Sequence, residues 1–176
     1  MFSLNFYPEY DVYHAAFRGL CIRAFVKRIS IDGYRFVDYF FQNPFDLKTL
    51  RMPGTAHRKI AAKFVDRMPY KRVEEPASIA IHMWQFQQSA LQALAKRGYI
   101  DPAPLAHDAV SFIEGAPNLS PMLEREVAGA LERDGEVLKY LSQLVEMYPV
   151  NGRGGLKERS GLLDFRYDVV TDGLSR

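Results

Sequence analysis

The sequence predicts a mainly α-helical fold with a small β element. Apolar residues recur at three- and four-residue steps through most of the chain, helix-capping residues precede these stretches, and proline or glycine follows them. Strand-like patterns occupy only two short segments. We therefore predict a single helical domain over residues 1–150, followed over 151–176 by a flexible Gly/Arg linker and a C-terminal strand.

Two amphipathic helices are predicted near the N-terminus. Residues 10–25 carry an apolar stripe of helical period that includes Cys21. Ser30 or Asp32 can cap a second helix, because both side chains accept hydrogen bonds from the first-turn N–H groups. We expect a short basic turn at residues 27–30 to join the two helices.

Three further helices are predicted in the middle of the chain. Thr55 can cap the first, and Pro76 stands in the first turn of the second, which Gly98 ends. Ser120, followed by proline, opens the third. An Asp-Gly pair at 134–135 predicts a pause in this last helix, which then forms either a helical hairpin or one kinked rod.

Two segments have strand character. Residues 109–113 suit a short strand or a buried helical turn, and periodicity does not decide between them. Residues 162–170 alternate apolar and polar side chains, which predicts a terminal strand that pairs with this domain or with another chain. The step from a helix through Gly98 into extended chain resembles the end of a winged-helix recognition helix, so a winged-helix-like core is an open alternative.

Composition limits the class of protein. The 176 residues contain one cysteine, which excludes an internal disulfide, and 23 basic against 21 acidic residues give a net charge of +2. This balance does not by itself predict nucleic-acid or membrane binding. Neither a leader peptide nor a run of about 18 apolar residues is recognisable, so we expect a cytoplasmic protein without membrane contact.

No catalytic motif is recognisable. The four histidines are widely spaced, which disfavours a zinc site, and a Gly-x-Ser-x-Gly motif is absent. Cys21 lies on an apolar helix face, where burial makes a thiol inert. The glycine-rich residues 152–157 lack the Lys-Ser/Thr pair of a phosphate loop. We predict a protein without enzymatic activity, metal or cofactor, with an enzyme kept as a further alternative.

Basic residues cluster on two of the predicted helices. Lys59, Lys63 and Arg67 follow one another at four-residue steps, and Lys96 and Arg97 end the helix before Gly98. Such cations can neutralise phosphates, so these five residues are candidate nucleic-acid contacts. The alternative interpretation is an ordinary solvated helix face.

Several short motifs resemble a known family. Tyr-Asp-Val-Tyr-His at 10–14 and Phe-Arg at 17–18 precede a segment at 29–40 that begins with an acidic turn and contains Asp-Tyr-Phe. This order resembles the opening of the middle components of bacterial three-component ABC systems. Gly-Leu-Lys-Glu-Arg-Ser-Gly at 155–161 and Phe-Arg-Tyr-Asp at 165–168 are similar to the tail of the same family.

The resemblance implies a cytoplasmic adaptor subunit. Such a protein sits with an SMC/Rad50-like ABC ATPase and a separate effector, commonly a nuclease, in defence against phage or plasmid DNA, and the Lamassu systems are well-known relatives. The resemblance implies that double-stranded DNA is contacted by the assembled complex. The expected partner-binding residues lie on the first helix and in the tail: Tyr10, Tyr13, Phe17, Arg18, Arg153, Lys157, Arg159, Phe165, Arg166, Tyr167 and Asp168.

A different class of function is the alternative to this adaptor. A free-standing winged-helix transcriptional regulator would bind DNA directly through the five candidate nucleic-acid contacts. Sequence selectivity separates the two hypotheses, because a regulator prefers one operator whereas an adaptor binds DNA weakly and without sequence preference.

Overall fold

The computed structural model describes residues 7–67 and 74–162, which are mostly helical. This confirms the predicted mainly α fold with a small β element. Three 3₁₀ turns occupy Pro8–Tyr10, Pro44–Thr49 and Val65–Arg67. The helices are Val12–Ile22 (α1), Ile31–Gln42 (α2), Thr55–Ala62 (α3), Pro76–Lys96 (α4), Pro102–Leu105 (α5), Pro121–Met147 (α6) and Leu156–Ser160 (α7), and the strands are Arg28–Ser30 (β1) and Ala109–Ser111 (β2).

The small sheet joins two segments that are far apart in the sequence. β1 and β2 pair antiparallel with Ile29 opposite Val110, and both side chains are buried. Ile100 adds an isolated antiparallel bridge to Phe112. The expected basic turn at residues 27–30 is therefore wrong, because residues 28–30 pair with β2, and three alternating residues are too few to indicate a strand by themselves. The same pairing makes β2 a strand and not a helical turn.

Side-chain caps begin several of the helices. The Asp11 carboxylate accepts a hydrogen bond from a first-turn N–H of α1 at 2.8 Å, and Ser30 and Ser120 cap α2 and α6 in the same way. The predicted cap at Thr55 is wrong, because Thr55 is the first residue of α3 and Gly54 occupies the cap position without a side-chain hydrogen bond. The predicted pause in α6 is wrong, since this helix runs unbroken through Gly135. Gly135 is buried, and a Cβ atom there would lie 3.5 Å from the Phe25 ring, an ordinary packing distance, so packing of the helix on the core outweighs the low helix propensity of glycine.

The core forms where α1, α2, α4 and α6 pack together. Among its fully buried side chains are Tyr34, Phe36, Phe40, Met83 and Leu141. α1 and α4 approach each other closely at Gly19, where a Cβ atom would lie 2.8 Å from Leu94 Cδ1 and 3.0 Å from the Tyr34 hydroxyl. This close contact fixes the position of α1 on the domain.

The chain after α6 returns to this core. The N–H of Leu156 donates to the Pro149 carbonyl at 2.9 Å, and the side chains of Leu156, Lys157 and Leu162 are buried. Residues 156–162 therefore pack on the helical domain, although the sequence interpretation placed them in the segment after it. The rest of the predicted C-terminal strand, residues 163–170, lies outside the described residues.

The order of the elements bears on the winged-helix alternative. A helix, a strand and a second helix come first, and α4 is followed by two extended segments that pair antiparallel through Ile100 and Phe112. This order parallels that of winged-helix domains, with α3 and its flanking turns lying between α2 and α4. A winged-helix-like core stays a prediction.

Candidate partner-binding site

The Phe-Arg and Asp-Tyr motifs of the sequence meet inside the domain. Arg18 on α1 binds Asp38 on α2 through two hydrogen bonds, from Nε to Oδ1 at 2.6 Å and from Nη2 to Oδ2 at 3.0 Å. Arg18 is 3% exposed and Asp38 0% exposed. Burial alone would lower the pKa of Arg18, but the Asp38 carboxylate outweighs it, and the pKa is raised. The ion pair therefore joins the first two helices.

Polar groups from other elements complete this network. Gln87 Nε2 on α4 donates to Asp38 Oδ2 at 2.8 Å. Arg18 Nη1 donates to the Pro8 carbonyl at 3.1 Å and to Gln42 Oε1 at 3.2 Å. Buried charges are tolerated when such hydrogen bonds satisfy them. The network thus connects α1, α2 and α4 and holds the outer face of α1 in one position.

The predicted docking residues on α1 and in the turn before it differ in accessibility. Tyr13 is 84% exposed, whereas Phe17 is partly buried and Arg18 is inside the domain. Tyr10 is half-buried, and its hydroxyl donates to Glu74 Oε2 at 2.8 Å. Tyr13 thus offers the largest accessible surface of the four to a partner, and Arg18 supports the helix from within. Their assignment as partner contacts stays a prediction.

A groove of about 360 Å³ lies between α1, the end of α2 and α6, and we call it the aromatic groove. Phe17, Phe41 and Phe45 line it, together with the cationic side chains of Arg67 and Arg133. Sequence reasoning singled out Phe17 and Arg67 separately. It missed the other three residues, because no local pattern signals that α6 lies beside α1 and the end of α2.

α7 is fastened to the domain by its basic residues. Lys157 is 3% exposed, and its Nζ lies 2.7 Å from Asp32 Oδ2 on α2. Arg159 Nη1 donates to the Arg51 carbonyl at 3.1 Å, while Arg153 is exposed before the helix. Of the predicted tail contacts, Arg153 is thus accessible and Lys157 is inside. Four further predicted contacts lie outside the described residues: Phe165, Arg166, Tyr167 and Asp168.

The predicted basic row faces acidic residues of α6. Lys63 Nζ lies 2.6 Å from Glu136 Oε1, and Arg67 pairs with Asp134. Lys59 is exposed on α3. The two candidates at the end of α4 are also exposed and belong to a different element. The α6 carboxylates reduce the net positive charge of the row that was expected to contact phosphates.

Two side chains that could act in catalysis, a thiol and an imidazole, are buried in the domain. Cys21 is fully buried, and burial raises the pKa of its thiol to about 12. His57 Nδ1 lies 2.8 Å from the Tyr140 hydroxyl, and burial lowers the pKa of the imidazole. Within residues 7–67 and 74–162, no group of three or more His, Cys, Asp or Glu side chains is placed to hold a metal ion. In the same ranges, no helix has both the length and the apolar character to cross a membrane.

Comparison with protein families gives a match over nearly the whole chain. The family model described as ABC-three component (ABC-3C) system Middle Component 5 matches residues 4–168. These bounds include all described elements, from α1 to α7. No curated protein and no solved structure gives a significant match.

Proposed function

The chain belongs to the ABC-three component system Middle Component 5 family, and from this premise we propose that it is a non-catalytic adaptor subunit. It links an SMC/Rad50-like ABC ATPase to an effector, which we expect to be a nuclease, in a cytoplasmic, Lamassu-like bacterial complex that acts against phage or plasmid DNA. The observation that carries the proposal is the extent of the family match, because residues 4–168 leave no described element outside it.

The buried polar network supports an adaptor role for α1. Arg18 and Asp38 hold this helix against α2 and α4, so its outer face is organised before any partner arrives. A preorganised surface loses less conformational entropy on binding than a flexible one. Tyr13 stands on this face, one helical turn before Phe17 of the aromatic groove.

The composition of this surface also suits a protein partner. Tyrosine, phenylalanine and arginine are enriched at protein interfaces, where they act as anchors. Tyr13, the phenylalanines of the aromatic groove and the nearby Arg133 supply all three types. We propose that this face and the segment from Arg153 to Asp168 dock the partner subunits.

Co-expression with the ABC ATPase encoded beside it tests the adaptor function. The two proteins should co-purify at low salt and at about 150 mM salt. A chain that elutes alone from the ATPase under both conditions contradicts the proposal.

A matched pair of variants tests the docking face. Tyr13→Ser should weaken the complex about tenfold, since it removes an exposed aromatic anchor. Met122→Ser is the control, because Met122 is also large, apolar and 68% exposed, but lies at the start of α6. If the two variants bind the ATPase equally well, Tyr13 is not part of the docking face, although the adaptor function stands.

Direct DNA binding as a transcriptional regulator is the second candidate. It is favoured by the order of elements around α4 and by the exposed Lys96 and Arg97 at its end. The pairing of Lys63 with Glu136 and of Arg67 with Asp134 counts against it. Duplex affinity measured against salt concentration distinguishes the candidates, because a regulator must prefer one operator at every salt concentration.

A further inference from the structure

A second groove lies beside α3, and we call it the basic groove. It has a volume of about 430 Å³ and runs between residues 48–52 and α3. Its lining includes three cationic side chains, those of Lys48, Arg51 and Arg58, and the apolar side chains of Leu50, Ala61 and Val65. No described acidic residue lines it. The basic groove thus combines an apolar floor with a single sign of charge.

The floor of the basic groove is fixed by the core. Leu50 and Ala61 are buried, and His57, which also lines the groove, is buried with its Nδ1 2.8 Å from the Tyr140 hydroxyl of α6. Val65, in contrast, is 44% exposed. The core therefore holds the floor of the groove in place, while Val65 leaves apolar surface exposed to solvent.

The cations of the basic groove differ in their partners from Lys63 and Arg67, which follow α3. Arg51 directs Nη2 to the Glu158 carbonyl at 2.7 Å, which is a neutral acceptor. Among the described residues, no ion pair involves Arg51 or Arg58. Lys63 and Arg67, close by in the sequence, are paired with carboxylates of α6. Within the described part of the chain, carboxylates of α6 thus neutralise Lys63 and Arg67, whereas Arg51 and Arg58 at the groove have no carboxylate partner.

We infer that the basic groove binds an acidic segment of a partner subunit that carries an apolar anchor residue. The anchor covers Val65, the exposed apolar residue beside the buried Leu50 and Ala61, while carboxylates of the segment pair with Arg51 and Arg58. A nucleic-acid backbone fits less well, because phosphates satisfy the cations but bring no apolar group to the floor. The inference rests on the proposed adaptor function.

The basic groove is continuous with the second proposed docking segment. The Arg51 N–H donates to the Arg159 carbonyl at 3.1 Å, and Arg159 Nη1 donates back to the Arg51 carbonyl at 3.1 Å. α7 therefore borders the groove directly. A partner segment in the groove would therefore lie beside α7.

Two adjacent residues of α3 provide the test. Arg58 and Lys59 are both exposed and cationic, but only Arg58 lines the basic groove. In the complete complex with the ATPase and the effector, Arg58→Glu should weaken assembly at least about fivefold, and Lys59→Glu less than twofold. Ala62→Trp, which fills the groove from α3, should weaken assembly similarly, and thermal unfolding checks that each variant is folded.

A photo-crosslinking amino acid at position 62 then identifies the occupant. The expected product joins the chain to an acidic partner segment that contains an apolar residue. Equal effects of Arg58→Glu and Lys59→Glu in an intact complex overturn the basic-groove inference alone. Failure of the unaltered chain to form any complex overturns the adaptor function as well. Loss of duplex-DNA binding by Arg58→Glu with unchanged assembly shows that the occupant is nucleic acid and overturns the choice of a protein segment.

Discussion

Replacing Arg18 by methionine should destabilise the domain strongly. The variant keeps the approximate length of the side chain but leaves the fully buried Asp38 carboxylate without its cationic partner, so that Gln87 Nε2 is the remaining side-chain donor identified for it. Breaking a buried pair in this way costs about 3–5 kcal/mol. Because a domain has about 5–15 kcal/mol of stability in total, this loss is a large fraction of it.

Urea unfolding followed by circular dichroism measures the effect. With an m-value of about 2 kcal/mol/M, Arg18→Met should lower the midpoint by about 2 M. Arg133→Met is the control, since its side chain is 69% exposed and should change stability by less than about 0.5 kcal/mol. Arg18→Lys, which keeps the charge but loses the two-pronged geometry, should fall between them.

A double variant tests the physical reason. Arg18→Met combined with Asp38→Leu removes both buried charges, so it should be more stable than either single variant. Two results would refute the reasoning. One is a loss of less than about 1 kcal/mol for Arg18→Met, and the other is a double variant whose loss equals the sum of the two single losses.

Three other predictions follow from individual contacts. Gly19→Ala should lower the free energy of unfolding by about 1–3 kcal/mol, because its Cβ would crowd Leu94. Gly129→Ala is the control and should be neutral or stabilising, since a Cβ there meets nothing within 4 Å. Equal urea midpoints for the two variants would contradict this prediction. Burial lowers the pKa of His57, so that the unfolded chain binds a proton more readily than the folded chain does. The free energy of unfolding should therefore fall as the pH drops below about 6.5. His57→Gln should flatten the pH dependence of the urea midpoint, and an unchanged slope would exclude His57 as its source. Cys21, which is fully buried with a thiol pKa of about 12, should react with a disulfide reagent at pH 8 far more slowly in native than in denatured protein, and rapid native labelling would show that it is accessible.

The helices were largely predictable because their signals are local. Asp11, Ser30 and Ser120 cap helices that begin where the sequence indicates, and proline and glycine mark several of the ends. The exceptions have non-local causes. β1 becomes a strand only by pairing with β2, and α6 continues through Gly135, which is buried against the core.

The site residues also divide into those that local motifs indicate and those that depend on contacts between distant elements. The sequence by itself singled out short motifs, such as the Phe-Arg pair that contains Arg18 and the Tyr-Asp-Val-Tyr-His segment that contains Tyr13. The sequence also indicated the family, since the short motifs near both ends resemble the family whose model matches residues 4–168.

Only the tertiary structure decided which of these residues face solvent. Arg18 and Lys157 are inside because carboxylates of α2 meet them there, whereas Arg58 is exposed and lines the basic groove. The physical reason is that charge pairing and burial depend on contacts between elements distant in sequence. Helical period fixes the face on which a side chain lies, but only packing determines what that face meets.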